Sequence, residues 1–329
     1  MGLRPLPLWA ITRGAAGGSP AVIAILDTGS SPAHPDLVGR VLVGYNAITG
    51  STNTTDSNRH GSHGSGISVA SANNVGGQML GVAPDAKILP VQMLDSSGSG
   101  DYASAIRAFN FVKPNTTARA TVVSCSWGGT GASSLMNQAI QELRAAGIVV
   151  VAAAGNDAES LDNNPHYPAS YEGVISVAAI DSTGSLATFS NHGTSVTVAA
   201  PGVAIYSCVL RNRWGNLSGT SLATPAVAGT IALLRSVNPS LTEAQIVALL
   251  KAGSPPTAKL AGKTSTGGPL NLSVVATNLA APKLVSDLIP IRFQDEVIWF
   301  NGAECPEPQS MPRWSLNAPS PSKPAPPKI

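Results

Sequence analysis

The sequence predicts an α/β protein with a mostly parallel central sheet and helices on both of its faces. Two observations carry that expectation. From about Pro20 to about Val237, short β-branched runs alternate with Gly- or Ser-punctuated segments of helical spacing, the order that parallel strands joined by crossover helices require. Runs such as Val22-Ile-Ala-Ile-Leu26 and Ile148-Val-Val-Val-Ala152 are apolar at every position, as strands buried on both faces must be.

The expected strands are Ala21 to Leu26, Lys87 to Met93, Ala120 to Ser124, Gly147 to Ala153, Val174 to Ala179 and Ser195 to Ala199. Helices are expected from His60 to about Ala72, Asp101 to about Val112, Ser133 to Ala146, Thr220 to Val237 and Thr242 to Lys251. Ser240-Leu-Thr-Glu243 reads as a capping box entering the last of these. Residues 1–281 form the folded domain in this reading. Residues 282–329 form a Pro-rich tail, because a stretch such as Asn317-Ala-Pro-Ser-Pro-Ser-Lys-Pro-Ala-Pro-Pro-Lys-Ile329 lacks the backbone donors a helix or sheet needs; it reads as disordered or polyproline II.

Of the 329 residues, 43% are apolar and 12% charged, a globular composition with material for a large core. The formal charge is +2 and no Lys/Arg run could neutralise a row of phosphates, so nucleic acid is not an expected partner. The longest strongly apolar stretch, Gly147 to Ala154, falls far short of the roughly 20 residues that cross a bilayer. The opening MGLRPLPLWAITRG lacks a signal-peptide core, so the chain is expected to be cytosolic or to lack the start of its precursor. Cys125, Cys208 and Cys305 allow at most one internal disulfide and no zinc pattern. Asn-x-Ser/Thr sequons begin at Asn53, Asn115, Asn216 and Asn271 and matter only in a secreted chain.

Three segments carry chemistry. Ile25-Leu-Asp27-Thr-Gly29 puts an acid at the carboxyl end of an apolar strand, where open α/β sheets bind ligands. Alone it also suits a strand-ending turn or an aspartic protease, but no second Asp-Thr-Gly exists. His60-Gly-Ser-His-Gly-Ser-Gly66 holds two histidines three apart; zinc would need a third ligand and a nearby general-base Glu, and neither is in the segment. Ser218-Gly-Thr-Ser221-Leu-Ala-Thr-Pro225 sets a hydroxyl at the first turn of an apolar helix, where unpaired amides favour negative charge. Each segment alone has an ordinary structural reading as turn, packed helix or cap.

Together they do not. Asp27, His60 and Ser221 follow the chain order of the subtilisin triad, and with Ala153-Ala-Gly-Asn156 the sequence resembles the subtilisin-like (subtilase) serine protease family from about residue 8 to 281. Leu80-Gly-Val-Ala-Pro-Asp-Ala-Lys87 and Val123-Ser-Cys-Ser-Trp-Gly-Gly129 extend the likeness. An α/β-hydrolase esterase is disfavoured, since its Gly-x-Ser-x-Gly elbow would need Gly where Ala223 stands and its triad order differs. A reading from another class is a catalytically silent subtilase domain acting as a binding module.

The resemblance implies a serine endopeptidase with a subtilisin-like fold. Ser221 would be nucleophile, His60 general base and then acid, Asp27 the carboxylate that fixes the imidazole, and Asn156 with the Ser221 amide the oxyanion donors. His63 would be structural. Substrate would lie extended between Ser97-Gly98-Ser99-Gly100 and Ser124-Cys125-Ser126-Trp127-Gly128, with broad specificity. The pocket for the residue before the cut would lie between Ser124–Gly128 and Ala152-Ala153-Ala154-Gly155, with His166 on its floor. Its small apolar walls imply a preference for Leu, Met or Phe, and His166 implies Glu cleavage that rises from pH 8 to 6. The chemistry would need no cofactor. Calcium is implied as a structural ion at Asp36, Asn73, Asn74 and Met79, although the loop there looks longer than usual. Partners would be protein or peptide substrates and a propeptide or protein inhibitor, and the setting secreted or extracytoplasmic. Two departures stand out: Ala226 follows Pro225 where many relatives have His, and no pro-segment precedes the domain.

Overall fold

The computed structural model describes residues 6–16, 19–71, 79–113, 119–280, 291–293 and 296–298. It divides into two compact units, 1–289 and 290–329.

The first unit is built on a seven-stranded sheet. Its strands are β1 (Val22–Asp27), β2 (Tyr45–Asn46), β3 (Lys87–Gln92), β4 (Val122–Cys125), β5 (Val149–Ala153), β6 (Ile175–Ile180) and β7 (Val198–Pro201), in spatial order β2-β3-β1-β4-β5-β6-β7. Every pairing is parallel. The helices are α1 (His60–Val69), α2 (Tyr102–Val112), α3 (Ser134–Ala145), α4 (Thr220–Val237), α5 (Glu243–Ala252) and α6 (Leu272–Ala280).

Strand periodicity decides which helix covers which face. Ile23 and Ile25 of β1 pack in one core with Ile67 of α1, Val227 and Ile231 of α4, Ile246 of α5 and Val275 of α6. Their neighbours Val22, Ala24 and Leu26 point the other way, into a core with Phe109 of α2 and Ile140 of α3. Both faces of the sheet are covered, which is why β1 is buried along its whole length.

The six expected strands and five expected helices all form, with ends shifted by up to three residues. α1 stops at Val69 rather than Ala72, because Ala70 turns to ψ 141°. The capping box of α5 also sits elsewhere. Ser240 is occupied with Asn238, whose Oδ1 accepts from both its amide and its hydroxyl, so Thr242 caps the helix reciprocally with Gln245. Several elements carry no expectation from sequence: the one-turn helix Leu6–Trp9, the ribbon of Ala15–Ala16 with Ser19–Pro20, the short strand β2, α6, and an antiparallel hairpin of β8 (Ile205–Val209) and β9 (Arg213–Leu217). The hairpin turns through Arg211 and Asn212, both at positive φ. That backbone usually advertises itself with Asn-Gly or Asp-Gly, and this turn has no glycine.

In the second unit, Ile291–Phe293 pairs antiparallel with Glu296–Ile298. The remainder of the expected 282–329 tail lies outside the described residues.

Candidate active site

β1 lies between β3 and β4; the chain runs from β1 to β2 and β3 on one side and from β4 to β5 on the other, and at such a reversal open α/β sheets bind ligands beyond the carboxyl ends of their strands. Asp27 stands there, 1% exposed. Its Oδ1 accepts from the Thr28 amide at 2.7 Å, and His60 Nδ1 lies 2.8 Å from Oδ1 and 3.0 Å from Oδ2. A carboxylate only accepts, so Nδ1 carries the proton and Nε2 of the neutral ring keeps its lone pair. The charge of Asp27 raises the His60 pKa above 6.5; burial opposes this, and Asp56 adds a smaller raise.

His60 is the first residue of α1. The helix is brought against the β1 exit by Gly61, where a Cβ would stand 2.1 Å from the Gly29 carbonyl oxygen. Any side chain at that position would drive α1 off the strand. His63, one turn on, is fully buried, and its Nε2 lies 3.1 Å from the Gly215 carbonyl on β9. Burial pushes its pKa down to about 4, so it is neutral near pH 7. The two histidines expected in this segment therefore part company: one pairs with Asp27, the other with the hairpin.

Ser221 is the second residue of α4, half-buried at the helix N-terminus. Pro225 stands inside the helix and offers no N–H to the Ser221 carbonyl. Asn156 follows β5, and its Oδ1 accepts from the Thr220 amide and hydroxyl at 2.9 and 3.0 Å. With the oxygen so held, Nδ2 is the end turned toward Ser221. Both atoms surround Gly219: a Cβ there would meet Ser221 Oγ at 2.9 Å and Asn156 Nδ2 at 3.7 Å. Gly219 also has φ 156°, so this residue has to be glycine on two counts.

The segments expected to hold substrate sort by burial. Ser124 and Cys125 are inside the sheet, paired through β4 with both β1 and β5. Ala152 and Ala153 belong to β5, and Ala154 is tied by its amide to Val177 and by its carbonyl to Asn191. What remains open to solvent is Trp127, half-buried, and Gly128, exposed; Ser126 and Gly155 are buried. Trp127 is anchored by an indole N–H bond to the Leu26 carbonyl at 2.9 Å. Ser97, Gly98, Ser99 and Gly100 form an exposed turn organised by Asp95, whose Oδ1 accepts from the amides of Ser97 and Ser99. The His166 ring stands between the two glycine walls: a Cβ on Gly128 would lie 2.5 Å from Nε2, and one on Gly155 would lie 3.2 Å from Nδ1. Burial lowers its pKa, with Asp157 and Glu159 opposing.

Asp36 is fully buried. Its Oδ2 accepts from Trp214 Nε1 at 2.6 Å and from the Met79 amide at 3.3 Å. Asn73 and Asn74 lie outside the described residues. A buried carboxylate is a ligand type that suits a hard cation such as calcium. The two potential metal ligands that gather with Asp36 among the described residues, His34 and Cys208, are nitrogen and sulfur donors and do not suit that ion.

Three supports carry no expectation from sequence: Thr28, whose amide donates to Asp27, Thr220, whose amide and hydroxyl donate to Asn156, and Asp56, which accepts from Thr28 and from the residues flanking His60. The signal for Asp56 was an Asp-x-Asn turn one residue short of His60, the local pattern of a side chain that caps its own following backbone.

Comparison with known proteins agrees with this architecture. The Subtilase family profile matches residues 18–273. Subtilisin DY of Bacillus licheniformis is 40% identical over 230 residues, covering 70% of this chain and 81% of that protein. Thermitase of Thermoactinomyces vulgaris is 42% identical over 221 residues, 67% of this chain and 77% of its own. A thermophilic serine proteinase of Bacillus sp. strain AK1 is 42% identical over 228 residues, 69% of this chain but 54% of the longer relative. The chain belongs to the Subtilase family. It is a serine-type endopeptidase of that class.

Proposed function

We propose that this chain hydrolyses peptide bonds through an acyl-enzyme intermediate, with Ser221 as nucleophile, His60 as base and then acid, and Asp27 as the carboxylate that holds the imidazole. The observation that carries this reading is the Asp27–His60 pair at 2.8 Å, with Asn156 Nδ2 and Ser221 Oγ gathered around one glycine. Nε2 takes the Ser221 proton as Oγ attacks the scissile carbonyl. Developing charge on the carbonyl oxygen is met by Asn156 Nδ2 and the Ser221 amide, beside the positive end of α4. The imidazolium, stabilised by Asp27, protonates the leaving amine, and water repeats the sequence on the ester. Protein groups alone supply this chemistry, as in the family at large. A fluorophosphonate probe tests it directly: labelling confined to Ser221 supports the reading, whereas folded protein that stays unlabelled would make the domain a silent binding module.

Protein or peptide substrates would lie extended along Ser126–Gly128 and the Ser97–Gly100 turn, the same face serving a propeptide or protein inhibitor. We place the activity outside the cytoplasm by likeness to the family. Among the described residues no helix is long and apolar enough to cross a membrane.

His166 shapes the residue accepted before the cut. Its ring takes up the space between Gly128 and Gly155 that a long apolar side chain would fill, so the preference for Leu, Met or Phe expected from the walls alone is blunted in the wild type. His166→Gly should raise kcat/KM for a Phe substrate by about 10- to 100-fold, the worth of burying one such side chain. The ratio of Glu to Leu cleavage should rise as pH falls from 8 through 6 to 5, because burial moves the ring's titration below 6.5. A peptide-library profile of both proteins at each pH decides, and a Glu/Leu ratio flat in all of them removes His166 from the pocket.

Calcium would be held by Asp36 with loop oxygens near Met79 and, from the sequence, Asn73 and Asn74. An ion bound only by the native state adds stability that grows with free metal, about 2.7 kcal/mol at a hundredfold excess over Kd. Thermal unfolding with chelator and with millimolar calcium should therefore differ in midpoint. Coincident midpoints would remove the ion from the account.

A further inference from the structure

The first turn of α1 has an unusual start. Its N-cap, Arg59, sits at φ 97° and makes no side-chain cap bond. The amides that such a cap leaves open are taken by side chains from elsewhere: His60 N donates to Asn58 Oδ1 at 3.3 Å, Gly61 N to Thr28 Oγ1 at 2.9 Å and Ser62 N to Asp56 Oδ2 at 2.9 Å. Asp56 is the centre of this arrangement. It is 5% exposed and accepts from five donors. Oδ1 takes the Thr28 hydroxyl at 2.9 Å and the amides of Asn58 and Arg59 at 2.9 and 3.0 Å. Oδ2 takes the amide and hydroxyl of Ser62 at 2.9 and 2.7 Å.

These donors come from two places only. Thr28 adjoins Asp27 at the exit of β1; the others flank His60. We propose that Asp56 is a positioning residue for His60, clamping the strand end that carries Asp27 to the helix turn that carries the imidazole. Thr28 is the pivot, since its hydroxyl donates to Asp56 and accepts from Gly61. The two backbone bonds to Oδ1 hold Arg59 in its left-handed conformation, which single-residue strain would otherwise oppose. Asp56 is also a second negative charge near the ring. The charged and titratable groups around His60 are Asp27 from β1, Asp56 and Arg59 from the segment before α1, and His63 one turn along it. The proposal rests on the triad reading, because a clamp on His60 matters to turnover only if His60 is the base.

The test is kinetics per active site titrated with a fluorophosphonate, in wild type, Asp56→Asn and Thr28→Val. Asp56→Asn keeps the shape but loses the charge and exchanges one of the two acceptor oxygens for a donor. It should lower kcat per titrated site by about 10- to 100-fold, the scale of a small misplacement of a reacting group, with KM little changed. The acid limb of its kcat/KM profile should move to lower pH, since removing a nearby negative charge eases deprotonation of His60. Thr28→Val removes the pivot and keeps the charge, so kcat should fall while the acid limb stays in place. If both variants show wild-type kcat per titrated site and a wild-type acid limb, with only the midpoint of unfolding reduced, Asp56 is merely structural. Should Asp56→Asn not fold, an unchanged kcat in Thr28→Val overturns the clamp by itself. A folded wild type that neither labels at Ser221 nor cleaves peptide removes the triad reading and the clamp together, and is told apart by the missing label.

Discussion

Ser221→Ala and His60→Ala should each lower kcat by about a millionfold, the size of the loss in the triad of subtilisin, a relative of this chain, and Asp27→Ala by somewhat less. The double variants should be little worse than the singles, because a nucleophile without its base, or a base without its nucleophile, leaves nothing for the second change to remove. His63→Ala is the internal control: its imidazole is buried against the Gly215 carbonyl and does not pair with Asp27, so its effect should fall on stability and leave most of kcat in the folded fraction. If His63→Ala were the more damaging of the two histidine changes, the base would be misassigned. The pH dependence follows from the same pair. Asp27 holds the His60 pKa above 6.5, and the base works only when neutral, so kcat/KM should rise with pH through a midpoint above 6.5. A midpoint below that value would mean that the Asp27 charge does not reach the ring in solution.

The sheet was legible because burial on both faces favours apolar residues at every position: β5 is an unbroken apolar run, β1 is one up to Asp27, and β6 is interrupted only by Ser176. The hairpin was not, since Ile205-Tyr-Ser-Cys-Val209 is half polar and Arg211 and Asn212 take a left-handed turn without glycine. Asp27, His60, Asn156 and Ser221 were legible as candidates only as an ordered set, each motif holding a glycine at a position of close approach or positive φ. Their supports were harder to see. Thr220 pairs with Asn156 64 residues away, a separation that leaves no local pattern, and the Asp-x-Asn turn that marks Asp56 locally says nothing of its bond to Thr28, 28 residues back along the chain. Burial along the substrate segments was equally invisible. Cys125 and Gly128 stand three places apart, yet one is paired inside the sheet and the other is exposed beyond the strand's end, and only the register of β4 against β1, which stops at Cys125, tells them apart.

Asn156 is the residue whose loss should be largest after the triad. Asn156→Ala removes Nδ2 and also the oxygen that holds the Thr220 amide and hydroxyl, so it confounds a lost oxyanion donor with a loosened start of α4. Asn156→Asp separates them: the carboxylate keeps both bonds from Thr220 but presents an acceptor and a negative charge where the oxyanion forms. Asn156→Ala should lower kcat by about 100- to 1,000-fold, or roughly 3 to 4 kcal/mol, the scale seen for the corresponding asparagine in subtilisin. Asn156→Asp should be at least as impaired despite its intact bonds to Thr220, with KM changed by less than about threefold in both, since the donor acts on charge that exists only in the transition state. Labelling of Ser221 by fluorophosphonate should slow in parallel, because the phosphonyl oxygen needs the same donor. A folded Asn156→Asp enzyme with near wild-type kcat would mean that Nδ2 is not an oxyanion donor and that the asparagine serves only to seat Thr220.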